Sequence, residues 1–142
     1  MKPSSRSSIT PLGTLYHGTK FAVEGLSESL HYELSRLGIR VKVIEPGMIK
    51  TDFGGRSLDF NNDPTLTEYQ PLVETLLGVL GPMMENGSTP EHIADVVYAA
   101  VTDAGSQFRY EAGADAAQLL ANRKAVSDAQ FMAGMAAQFG LN

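Results

Sequence analysis

Leu37-Gly38-Ile39-Arg40-Val41-Lys42-Val43-Ile44-Glu45-Pro46-Gly47 is the stretch on which the fold class turns. Gly38 suits the position just past a helix C-terminus, where a left-handed conformation costs a side chain more than it costs glycine. Ile39–Ile44 is β-branched and nearly alternating, which reads as a strand with Ile39, Val41 and Val43 on one face. Pro46-Gly47 then stops it, because proline lacks the N–H a ladder needs. A helix, a tight glycine link and a strand make the αβ half of a βαβ unit, so an α/β fold is expected.

Upstream, a helical pattern covers about residues 16–37, with Leu26, Leu30, Leu34 and Leu37 as one apolar stripe. At its start stand Tyr16 and Lys20, four positions apart and so on one helix face. A cation within about 4–6 Å of a phenol favours the phenolate by about 1–3 pKa units, which makes such a pair a candidate for proton transfer. Tyrosine and lysine at this spacing also occur by chance on solvated helices, so the pair alone does not assign a function. Pro11 and Gly13 punctuate a loop before the helix. Residues 1–9 are polar and serine-rich and read as a flexible lead-in.

Downstream, residues 51–71 carry Gly54-Gly55 and Asn61-Asn62-Asp63-Pro64 with little periodicity, the pattern of a long irregular insertion. Residues 71–84 are apolar at helical spacing, either a buried helix or a lid with an apolar underside, and Asn86-Gly87-Ser88 breaks it. Thr89-Pro90-Glu91 opens a helix as N-cap, N1 and dipole-complementing acid. Ile93, Val96, Val97, Ala100 and Val101 supply its apolar face. Phe108, Tyr110 and Ala112 alternate with Arg109 and Glu111 as a second short strand closed by Gly113. The alanine-rich tail reads as two helices, the second opened by the capping-box spacing Ser127-Asp128-Ala129-Gln130. Asp115 reads as a residue that fixes a turn. The chain is expected to form one domain over residues 10–142.

Composition narrows the classes. Hydrophobic residues make up 43% of 142, enough for a core, and cysteine is absent, which excludes disulfides and thiolate metal sites. A formal net charge of −5 with no basic block argues against nucleic acid as a partner. The apolar runs are too short for a membrane-spanning helix, and the expected location is cytoplasmic. His17, His31 and His92 lack zinc-ligand spacing, so no metal is expected.

Three linked motifs carry a resemblance. The run "YHGTKFAVEGLSESLHYEL", the run "GIRVKVIEPGMIKTDF", and the later Thr89-Pro90-Glu91-His92 with "RYEAGADA" resemble the short-chain dehydrogenase/reductase family. The likeness runs from about Pro11 to Gly140. It implies a partial Rossmann-like doubly wound α/β fold and an oxidoreductase that moves hydride between NADP or NAD and a small carbonyl or alcohol substrate. It assigns Tyr16 as the proton donor or acceptor at the substrate oxygen. Lys20 would lower the phenol's pKa and hold the nicotinamide ribose. Pro46, Gly47, Ile49 and Thr51 match the family's cofactor-contacting turn. The resemblance also implies a substrate-lid segment over about residues 53–86.

The departures are as informative. Nothing before Tyr16 matches the family's strand and glycine-rich phosphate loop. The family's catalytic serine position falls on Pro3, with Ser4, Ser5, Ser7 and Ser8 nearby but out of register. The chain therefore resembles the C-terminal half of such an enzyme, from which little or no activity is expected in isolation. A short sheet lacking neighbours is marginal alone, so a homo-oligomer is expected, through helix 16–37 or through strand pairing. Two other readings stand beside this one: a non-catalytic interaction module, and a serine hydrolase built on the serine cluster and His17. The hydrolase lacks a G-x-S-x-G elbow.

Overall fold

The computed structural model describes residues 9–141. The lead-in through Ser8, with Pro3 and the serine cluster, lies outside the described residues. Helix α1 spans Thr14–Ser35. Its end is a Schellman closure: Gly38 has φ +73°, its N–H donates to Ser35 O at 3.1 Å, and Ile39 N–H donates to Leu34 O at 3.2 Å. The glycine expected to stop the helix does so by the expected geometry.

Strand β1 (Val43–Pro46) and strand β2 (Arg109–Ala112) pair in parallel, with Val43 opposite Arg109 and Pro46 opposite Ala112. Pro46 ends β1 as expected, but the ladder begins later than the Ile39 start that the sequence suggests. The first rung is Val43 N–H to Phe108 O, at 2.8 Å. The strand that pairs with β1 is four residues long, so residues 39–42 have no ladder opposite them, and β propensity without a partner makes no sheet. Side chains anchor this segment instead. The Lys42 ammonium donates to Gln107 O (2.6 Å), Gly105 O (3.2 Å) and Tyr110 Oη (3.1 Å), and Arg40 donates to Asp103 O.

Helices α2 (Gln70–Glu85), α3 (Pro90–Thr102), α4 (Ala114–Ala125) and α5 (Asp128–Gln138) complete the chain. Thr89 Oγ1 caps α3 by accepting from His92 N–H at 3.3 Å. Ser127 and Gln130 make both halves of the capping box before α5. The order is that of a partial Rossmann-like α/β fold, two parallel strands joined through helices. Buried side chains come from α2 (Val73, Leu76), α3 (Ala100), β2 (Tyr110, Ala112), α4 (Ala116, Leu120) and α5 (Phe131), with Phe139 after it.

Helix α1 buries none of its residues. Leu26 and Leu37 of the expected stripe are 63% and 72% exposed. The reason is dimensional: 22 residues of helix run about 33 Å, while a four-residue strand covers only about 13 Å. What ties α1 to the sheet is largely polar. Arg109 of β2 reaches Glu24 and Glu28 of α1 and Glu45 of β1, and His31 packs its ring 4.8 Å from that of Phe108.

Between β1 and α2 the chain is irregular apart from an isolated bridge at Ile49 and one π-type turn over Phe53–Ser57, closed by Leu58 N–H to Phe53 O at 2.9 Å. No helix among the described residues is long and apolar enough to cross a membrane.

Candidate functional site

The first turns of α1 carry Tyr16 and Lys20. Their four-residue spacing brings them together: Lys20 Nζ stands 5.3 Å from the centre of the Tyr16 ring. Tyr16 is 48% exposed. Lys20 makes no ion pair among the described residues, which leaves its ammonium available to a ligand. Thr19 Oγ1 donates back to Tyr16 O at 2.7 Å and so stays within the helix.

His17 is the anchor for this end of α1. Thr10 N–H donates to His17 Nε2 at 3.0 Å, and Thr10 Oγ1 lies 3.1 Å from the same nitrogen. A ring nitrogen that accepts must be unprotonated, which places the ring proton on Nδ1. Partial burial pushes the His17 pKa below its ordinary value, the direction the hydrogen bond requires. Gly13 leaves room for the ring: a Cβ there would sit 2.6 Å from His17 Nε2.

The second group is the turn after β1. Pro46 ends the strand, and Gly47 N–H continues the ladder by donating to Ala112 O at 3.0 Å. Ile49 pairs with Ser88 in an isolated parallel bridge, with Ser88 N–H to Met48 O at 2.8 Å and Lys50 N–H to Ser88 O at 2.9 Å. Met48 N–H donates to Asp115 Oδ2 at 2.7 Å. Thr51 follows in a tight turn, its N–H donating to Ile49 O at 2.9 Å, and it lines an open depression with Asp52, Phe53, Arg56 and Ser57. Pro46, Gly47, Ile49 and Thr51 thus form one continuous loop at the carboxyl end of the sheet.

Phe53 links the two groups. Its ring centre lies 6.4 Å from that of Tyr16, tilted at 55°, so the segment leaving Thr51 returns to the face of α1 that bears the phenol. Tyr16 and Lys20 are both exposed, and the Phe53 contact brings the segment after the Pro46–Thr51 loop beside them. Among the described residues no group of three or more histidine, aspartate or glutamate side chains is placed to hold a metal.

Sequence reading did not find Phe53, Ser88 or Arg109 as parts of this assembly. Gly87-Ser88 was legible only as a helix break, and alternation in β2 marked Arg109 simply as a residue of the opposite face from Tyr110. Asp115 was legible as a turn-fixing residue, and the turn it fixes lies 67 positions away at Met48.

A family model described as short chain dehydrogenase matches residues 4–61, the span that holds α1, β1 and the Pro46–Thr51 loop. Two uncharacterised oxidoreductases of Schizosaccharomyces pombe (strain 972) are each 38% identical over 131 residues, 92% of this chain and 54% of their own length. The uncharacterised oxidoreductase YusZ of Bacillus subtilis (strain 168) is 35% identical over 103 residues, covering 70% of this chain and 37% of YusZ. The chain spans about half the length of the first of these relatives or less. No solved structure matches it significantly.

Proposed function

Because the chain carries a segment of the short-chain dehydrogenase family, we propose that its Tyr16–Lys20 face and Pro46–Thr51 loop are the proton-transfer and nicotinamide side of an NAD(P)-dependent oxidoreductase site. The observation that carries this reading is the Lys20 ammonium 5.3 Å from the Tyr16 ring, with both side chains open to solvent. The chemistry runs between a carbonyl and an alcohol.

The donor set fits the nicotinamide end of a dinucleotide. Lys20 offers a cation for ribose hydroxyls, and the loop offers the exposed Thr51. When bound, the reduced nicotinamide supplies hydride to the carbonyl carbon. Tyr16 holds the substrate oxygen by hydrogen bond and gives up its phenolic proton as negative charge develops there. Lys20 holds its positive charge 5.3 Å from the centre of the Tyr16 ring, and the Phe53 ring lies 6.4 Å from it. In the oxidative direction Tyr16 takes the alcohol proton instead. A pyrophosphate cradle of backbone N–H groups is the part of a dinucleotide site that the described residues do not display, so turnover by this chain alone should be weak.

The exposed apolar side of α1, with Leu15, Val23, Leu26 and Leu30 at 42–86% exposure, supports a homo-oligomer built on that helix. Sedimentation at micromolar concentration tests this: a dimer or larger species is expected, and a well-folded monomer contradicts it.

Calorimetric titration with NADP and NAD, beside reduction assays on simple ketones, tests the site. Weak binding that disappears in Lys20→Ala supports the reading. Turnover that persists in Tyr16→Phe contradicts it.

A further inference from the structure

The Pro46–Thr51 loop, bridged to Ser88, is also held by a residue of α4. Asp115 lies in the first turn of α4, where a carboxylate complements the helix dipole, and its Oδ2 accepts Met48 N–H at 2.7 Å. Its carboxylate lies directly over Gly47: a Cβ built there would meet both Asp115 oxygens at 2.2 Å. Any side chain at position 47 is therefore incompatible with the carboxylate where it stands.

The carboxylate is itself aimed by its surroundings. Gly113, the residue before α4, has φ +110°, a conformation side chains resist, and a Cβ there would lie 2.7 Å from both Asp115 Oδ1 and Ser88 Oγ. On the other flank a Cβ on Gly87 would sit 2.6 Å from Met48 O. Three glycines thus close the backbone of β1's exit, the α2–α3 turn and the β2–α4 turn onto one another, with Asp115 hydrogen-bonded at the centre.

We propose that Asp115 is the positioning residue of the Pro46–Thr51 loop, setting its placement at the carboxyl end of the sheet through Met48 N–H and through the steric requirement for glycine at position 47. For cofactor chemistry this rests on the reading of the loop as the nicotinamide side. Asp115 acts through the loop and touches no reacting atom. The pairing explains why a Pro-Gly turn and an acid 67 residues beyond Met48 belong to one device.

Amide hydrogen exchange followed by NMR on the full chain tests it, with nicotinamide mononucleotide at millimolar concentration as the ligand probe. Asp115→Ala should speed Met48 amide exchange by about tenfold or more, the loss expected for a hydrogen bond to a charged acceptor, and leave amides of α3 unchanged. Asp115→Asn keeps an acceptor of the same shape and should fall between wild type and alanine. Gly47→Ala should disturb the loop, and adding Asp115→Ala should relieve part of that disturbance. Unchanged Met48 exchange in Asp115→Ala, or Gly47→Ala equally disruptive with and without the carboxylate, overturns the proposal. Where the nucleotide shifts the 46–51 amides in wild type, Asp115→Ala should weaken that response. If it shifts none of them, the nicotinamide reading fails while the exchange result still decides the positioning role.

Discussion

Arg109 Nη2 lies 2.9 Å from Glu24 Oε2, so the second strand of the sheet fixes the helix that carries Tyr16 and Lys20. The same guanidinium reaches Glu28 at 3.4 Å and Glu45 at 3.7 Å, which makes Arg109 the meeting point of α1, β1 and β2. Burial pulls the Arg109 pKa down, but the hydrogen bond and charge of Glu24, then Glu28 and Glu45, more than offset it and hold the pKa above the ordinary arginine value.

Arg109→Met should loosen α1 from the sheet. The loss of charge-assisted hydrogen bonds is about 1–3 kcal/mol, at the lower end here because the ion pairs are partly exposed and screened. Urea denaturation should show a lower midpoint, and α1 amides should exchange faster than those of α3. Equal α1 protection in wild type and variant contradicts the assignment.

The N-terminal end of α1 should respond to mild acid. The folded-state pKa of His17 is depressed, so the neutral ring is the form that folding favours. Its stabilising contribution is present above the unfolded-state value of about 6.5 and is lost as pH falls through the lower folded value. Proton NMR should find His17 titrating below that unfolded value, with the Thr10 amide resonance moving in step as its acceptor is protonated. A His17 that titrates at or above the free value contradicts the Thr10 contact.

Asp103 should report on Tyr110. The Tyr110 hydroxyl donates to Asp103 Oδ2 at 2.5 Å, and that hydrogen bond, followed by the one from Gly105 N–H, holds the carboxyl below its usual range. Such a group stabilises the fold above the ordinary carboxylate pKa and loses that contribution as pH falls through its own lower value. Tyr110→Phe should therefore raise the Asp103 pKa and free the Lys42 ammonium from one of its acceptors. Carbon-detected NMR titration of the carboxyl measures the shift directly, and an unmoved Asp103 contradicts the network.

Local chemistry made much of this fold legible. Gly38, Pro46, Thr89 and Ser127 act at the helix and strand ends that their own backbone preferences dictate, so the sequence marks those ends. The Tyr16–Lys20 contact was legible for the same reason, since helical spacing alone brings them together. What the sequence hid are contacts set by the sheet register. Arg109 meets Glu24 across 85 positions and Asp115 meets Met48 across 67, and no local pattern encodes either. The late start of β1 was hidden likewise, because Ile39–Lys42 has the composition of a strand and lacks only an opposing one. The exposure of α1 follows from the shortness of the strands beside it, a property of the assembled chain rather than of the helix.

The central claim is that Tyr16 moves the proton in a nicotinamide-dependent reaction. Its most direct test is a chimera in which this chain replaces the matching 54% of the Schizosaccharomyces pombe oxidoreductase, assayed for ketone reduction with NADPH and NADH with and without Tyr16→Phe. The prediction is turnover by the chimera that falls by about 100-fold or more in the Tyr16→Phe form, the usual scale of a lost general acid. A folded chimera that binds the dinucleotide and turns over equally well with phenylalanine at position 16 contradicts the account.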